Sequence, residues 1–72
     1  MRFSAKSRDL KREIAMNGYS ISSFAKELGL NVSFLNTVVN GHRHTTPTTA
    51  KKISDSLSKN ISDLFEVKEM EE

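Results

Sequence analysis

His42 and His44 stand one residue apart in a loop-like stretch, His42-Arg43-His44-Thr45, and such spacing invites a metal-site reading. A zinc site needs three or four ligands, usually with cysteine thiolates or further histidines at set spacings. The 72-residue chain has no cysteine and no third histidine, so no metal is expected. Serine is plentiful, but it falls at helix starts and on helix surfaces, with no nucleophile elbow near a histidine and a carboxylate. The nine Asp and Glu residues are scattered as solvated partners of Lys and Arg. The expectation is therefore no enzyme and no cofactor. What remains is hydrogen bonding by short side chains: Asn31, Ser33, Asn36, Thr37 and Asn40, followed by the basic loop around Arg43.

The charge balance suggests a class of partner. Residues 1–60 hold ten Lys and Arg against four Asp and Glu, whereas residues 61–72 hold one against five. A basic body with an acidic end points to a polyanion partner for the body, the alternative being an ordinary solvated surface. No apolar run approaches the roughly eighteen residues that span a bilayer, so no membrane partner is expected. The start, MRFSAKSRDLKRE, lacks the apolar core of a secretion signal, and the expected location is the cytoplasm. Asn31-Val32-Ser33 and Asn60-Ile61-Ser62 match the glycosylation pattern by chance in such a chain.

Those polar residues need elements to hold them. The length allows one small domain with one core. Without disulfides, well-packed helices or a partner must stabilise it. The pattern reads as five short helices, an all-α domain over residues 1–66 with an acidic, frayed tail over 67–72. The first helix runs from Ser4 or Ser7, either serine serving as cap, to Asn17, with Leu10 and Ile14 buried and Phe3 and Ala15 beside them. Asn17-Gly18 stops it. Ser20 caps the second helix, Ile21 to Leu28, whose Phe24, Ala25 and Leu28 share a face. Gly29 breaks that helix, Leu30 is a buried hinge residue, and Asn31 caps the third helix, Val32 to Asn40, which Gly41 ends. Thr46-Pro47 starts a fourth helix to about Ser58, since proline at the first helical position loses no bond. Its Ala50, Ile53 and Leu57 face inward. Asn60 caps a last short helix with Ile61, Leu64 and Phe65 inward.

The informative stretch is ISSFAKELGLNVSFLNTVVN, residues 21–40. Two short helices meet at a turn where Gly29 supplies positive φ and Ala25 keeps the crossing close. Phe24, Leu28, Leu30, Leu35 and Val38 lock the interhelical angle, leaving the second helix of the pair protruding, as entry into a major groove requires. Placed at 100° steps, Leu35 and Val38 centre that helix's buried side, and Ser33, Asn36, Thr37 and Asn40 lie opposite.

This stretch resembles the Cro and XRE-type helix-turn-helix regulators, and the likeness extends to Gly41, the loop holding Arg43, Pro47 and the ending LSKNISDLF, about residues 7–66. The resemblance implies a compact, lambda-repressor-like five-helix domain, with the helix-turn-helix at about residues 20–40. It also implies roles by position. Asn31, Val32, Ser33, Asn36, Thr37 and Asn40 are the candidates to read base edges or bind a partner. Asn36 could pair with adenine, and Val32 or Thr37 could touch a thymine methyl. Ser20, Ser22, Lys26, His42, Arg43 and His44 are the phosphate candidates, with Lys51 a weaker one. The implied partner is double-stranded operator DNA, with a weak homodimer on paired half-sites and a bacterial host.

Three departures give a second reading. Ile21 stands where the family often has Gln, Val39 where it often has Glu, and the exposed face of the third helix has no Arg, Lys or Gln. Ile21, Val32, Phe34 and Val39 thus outline an apolar patch, or else Phe34 and Val39 extend the core. The first reading is a phage-type transcription regulator of a lysis–lysogeny-like switch. The second is an antirepressor whose same helix binds a partner repressor and blocks its operator access.

Overall fold

The computed structural model describes residues 2–68 and runs β1 (Arg2–Ala5), α1 (Ser7–Met16), α2 (Ile21–Leu28), α3 (Val32–Val39), α4 (Pro47–Ser56), α5 (Ile61–Leu64) and β2 (Phe65–Lys68). Where each of the middle helices begins follows from local chemistry. The Ser20 hydroxyl accepts from the Ser23 N–H at 3.1 Å, and the Ser23 hydroxyl accepts from the Ser20 N–H at 2.9 Å. Asn31 Oδ1 accepts from the Phe34 N–H at 3.2 Å, and Thr46 Oγ1 from the Thr49 N–H at 3.3 Å. Each cap satisfies a donor that has no acceptor in the helix itself. At Asn60 the bond runs the other way: its backbone N–H donates to the Asp63 carboxylate at 3.2 Å.

The all-α expectation needs correction. β1 and β2 form an antiparallel pair in the register Arg2–Lys68, Phe3–Val67, Ser4–Glu66 and Ala5–Phe65. A four-residue alternation is too short to announce a strand, and its partner lies at the far end of the chain. The strand also removes the proposed serine caps of the first helix. Ser4 lies in β1, Ser7 is the first helical residue, and Lys6 precedes it without a side-chain cap. Lys6 instead ties this corner to α5, its N–H donating to the Leu64 carbonyl at 2.8 Å and its Nζ to the Ser62 carbonyl at 3.0 Å. The tail expected to fray from residue 67 starts later, because Val67 and Lys68 belong to β2; residues 69–72 lie outside the described residues. Phe65 is buried as expected, but as the first residue of β2.

The core gathers one stripe from each helix: Leu10 and Ile14 from α1, Phe24, Ala25 and Leu28 from α2, Leu35, Val38 and Val39 from α3, Ala50 and Ile53 from α4, with Leu57, Leu64, Phe65 and Phe3 closing it. Phe24 and Phe65 are the largest fully buried side chains, and the Tyr19 ring packs tilted against Phe24 at 5.0 Å between centroids. Two expectations shift here. Ala15 is exposed, and Leu30 is half-buried against the core instead of fully within it. No helix among the described residues is long and apolar enough to cross a membrane.

Two buried hydroxyls, those of Thr45 and Ser54, have no hydrogen-bond partner among the described residues. Of the two, Ser54 lies near the end of α4 with no exposed surface. An unsatisfied buried hydroxyl costs stability, and serine is also the poorer helix former. Ser54→Ala is expected to raise unfolding free energy by about 1–2 kcal/mol in urea denaturation. A loss of stability would show that the hydroxyl is satisfied in solution.

Candidate functional site

α2 and α3 are joined by a turn that two backbone bonds and the buried crossing hold in place. Gly29 sits at φ 72°, the left-handed conformation that closes a helix end. Around it the Leu30 N–H donates to the Ala25 carbonyl at 2.9 Å and the Gly29 N–H to the Lys26 carbonyl at 3.2 Å. Ala25 is wholly buried where the helices meet, so a larger side chain would push them apart. The far end of α3 closes in the same way. Gly41 has φ 78°, the Gly41 N–H donates to Val38 at 3.1 Å, and the His42 N–H donates to Thr37 at 3.0 Å.

The outer face of α3 carries Asn31, Val32, Ser33 and Asn36 exposed, with Thr37 and Asn40 half-buried. Several of these side chains are already oriented by their own helix. Asn31 uses its oxygen as the cap, which leaves its amide nitrogen outward. Asn40 Nδ2 donates to the Asn36 carbonyl at 2.9 Å and to Asn36 Oδ1 at 3.2 Å. That contact fixes the Asn36 amide while leaving its Nδ2 and one Oδ1 lone pair free. Those two groups are what a bidentate contact to an adenine edge uses. Thr37 Oγ1 donates to the Phe34 carbonyl at 2.7 Å, so its hydroxyl proton is committed and an acceptor lone pair remains.

The apolar patch expected from Ile21, Val32, Phe34 and Val39 does not form. Val39 is fully buried in the core, and Ile21 and Phe34 are half-buried against it. Val32 alone of the four is well exposed, at 45%. The reason is that α3 packs against α1, α2 and β1 together. With neighbours on several sides the buried stripe widens beyond the Leu35 and Val38 line, and Val39 falls inside it.

Phe34 has a further use that its sequence position did not disclose. The Arg43 guanidinium lies over its ring, 5.3 Å from the centroid. A cation over an aromatic face is attracted by the ring quadrupole, so Arg43 is held beside α3. His42 and His44 flank it, both exposed. Thr45, read only as part of the loop, is buried, and its backbone pairs with Phe3, which anchors the loop to β1.

The remaining phosphate candidates divide. Ser22 and Lys26 are exposed on α2. The Ser20 hydroxyl is occupied within the cap, so the open donors at this helix start are the Ile21 and Ser22 N–H groups, which have no acceptor within the helix. Lys51 is paired with Asp55 at 3.2 Å on the surface of α4. Among the described residues no group of three or more His, Cys, Asp or Glu side chains is arranged to hold a metal.

Compared with protein-family models, residues 10–64 match the family described as Helix-turn-helix. The comparisons with curated proteins and with solved structures gave no match.

Proposed function

The chain belongs to the Cro/C1-type, XRE helix-turn-helix family of DNA-binding transcription regulators, and we propose that α3 is its recognition helix, reading operator DNA in the major groove. The observation that carries this reading is the α3 face itself. Asn36 is oriented by Asn40 with a free donor and acceptor, beside Ser33 and Thr37, on a helix locked at both ends. Arg43, held over the Phe34 ring, would hold a phosphate at the edge of that face, with His42 and His44 near it. The open N–H groups of Ile21 and Ser22 at the start of α2, together with the Ser22 and Lys26 side chains, would take a second phosphate; Ser20, bonded within the cap, would shape that helix start. The proposed setting is a phage-type genetic switch in the cytoplasm of a bacterial host, two copies meeting paired half-sites.

The test is a titration against the control region beside the gene, repeated across salt concentrations. Binding should be sequence-selective, with log K falling linearly as log salt rises. Arg43→Ala is expected to weaken all sites about tenfold, the worth of one charge-assisted contact, and to lower the salt slope by about one. Asn36→Ala and Thr37→Ala should change sequence preference instead. Absence of selective binding at low salt would overturn the reading.

A second reading draws on the absence of Arg, Lys and Gln from the outer face of α3 and on the exposure of Val32. Here the same face grips a partner repressor and blocks its operator access. Failure of the neighbouring repressor to form a complex at micromolar concentration would count against it.

A further inference from the structure

The outer face of α3 carries a narrow choice of base-reading groups. In the major groove guanine is read by Arg or Lys donating to O6 and N7, and cytosine by Asp or Glu accepting from N4. Between Asn31 and Asn40, α3 and its two caps hold none of these four residue types. They hold Asn, the partner of adenine N6 and N7, Ser and Thr, which serve any base, and the exposed Val32, which suits a thymine methyl. Such a face favours A·T pairs.

The face has three asparagines, and their hydrogen bonds separate them. An adenine edge needs an acceptor for N6–H and a donor for N7 from one amide. Asn31 Oδ1 is engaged by the Phe34 N–H at 3.2 Å. Asn40 Nδ2 is turned inward, to the Asn36 carbonyl at 2.9 Å and to Asn36 Oδ1 at 3.2 Å. Asn36 keeps a lone pair on Oδ1, and its Nδ2 has no partner among the described residues. Reversing the Asn36 amide would set its NH2 against that of Asn40, donor against donor, so the contact fixes which atom lies where. Of the three, Asn36 is the one open as donor and acceptor together.

Adenine N6 carries two hydrogens. In a duplex one bonds to thymine, and the other lies in the major groove beside N7, where an asparagine oxygen meets it. A methyl on N6 must take that second place, because base pairing needs the first hydrogen. It removes the donor to Asn36 Oδ1 and obstructs the approach of Nδ2 to N7. Asn36 cannot turn its amide aside without giving up the Asn40 bond. Building on the reading of α3 as the recognition helix, we propose that this face senses adenine methylation. It accepts operator DNA with unmodified adenine at the Asn36 contact and rejects the same site carrying N6-methyladenine. Occupancy would then follow the methylation state of the site with no change in its sequence.

The probes are synthetic duplexes of the control region beside the gene. Each has one adenine replaced by N6-methyladenine, or by 7-deazaadenine, which lacks the N7 acceptor. They are titrated with the full chain and with Asn36→Ala, at low salt, where phosphate contacts keep weak complexes measurable. An adenine in the bound site should respond to both replacements, affinity falling about tenfold or more, as loss of a bidentate base contact would give. Asn36 is exposed, so N36A should keep its helical circular dichroism; it should bind the unmodified duplex more weakly and no longer distinguish the methylated one. Selective binding that no N6-methyl weakens would overturn the proposal and leave α3 as the recognition helix. So would a methyl effect that N36A retains, since it would then come from the duplex and not from Asn36. Absence of selective binding to any unmodified duplex would overturn both.

Discussion

Phe24→Ala is expected to lower unfolding free energy by about 3–5 kcal/mol, the cost of truncating a fully buried aromatic to a methyl. A domain of this size holds about 4–11 kcal/mol in all, at the usual stability per residue. The loss would therefore leave a large fraction unfolded at 37 °C. Phe24 is singled out by position as well as size. It has no exposed surface, lies against Tyr19, and sits one residue before Ala25 at the α2–α3 crossing. No cysteine bridge can compensate. Urea denaturation followed by far-ultraviolet circular dichroism measures the change. A loss below about 1 kcal/mol would mean that the core closes around the gap, contrary to the packing described.

The second large effect is a contrast between two valines of α3. Val39→Asp introduces a carboxylate at a position with no exposed surface and no cation from the surrounding core residues. An unpaired buried charge costs several kcal/mol, so this variant should fail to fold at neutral pH. Val32→Asp carries the same chemistry to a position that is 45% exposed at the start of the same helix. There the acid lies in the first turn, where a negative charge suits the helix dipole, and the fold should keep its stability within about 0.5 kcal/mol. In the proposed complex, however, that carboxylate faces the polyanion, and operator affinity should fall about tenfold or more, by the cost of a repulsive, unpaired charge. If V32D binds operator normally but loses a partner repressor, α3 reads protein. If V39D folds with wild-type stability, Val39 is not in the core.

The contrast between Val39 and Val32 marks where sequence reasoning reaches its limit. The ends of α2 and α3 were legible because they are local. Ser20 and Asn31 cap with their own side chains, Gly29 and Gly41 take positive φ, and Thr46-Pro47 opens α4 within a few residues. The inward positions Leu10, Ile14, Phe24, Ala25, Leu28, Leu35, Val38, Ala50, Ile53 and Leu57 follow from helical spacing in the same way. The family was legible too, since it rests on the joint spacing of those signals over most of the chain.

What escaped depends on distant residues meeting. Phe3 finds Val67 and Thr45 only once the chain has folded, so the two strands left no signal that four residues could carry. Val39 and Val32 are the same residue type on the same helix, seven positions apart. One is buried and the other exposed because α1, α2 and β1 close over only part of α3. The placement of Arg43 over the Phe34 ring and the orientation of Asn36 by Asn40 likewise arise from geometry around the folded helix. The sequence by itself determined the helix-turn-helix, its punctuation and the polar face of α3, because caps and periodicity act over one or two turns. The tertiary structure alone decided how far the buried stripe of α3 widens, how its polar groups are held, and which strands pair, because burial and pairing depend on every element that packs nearby.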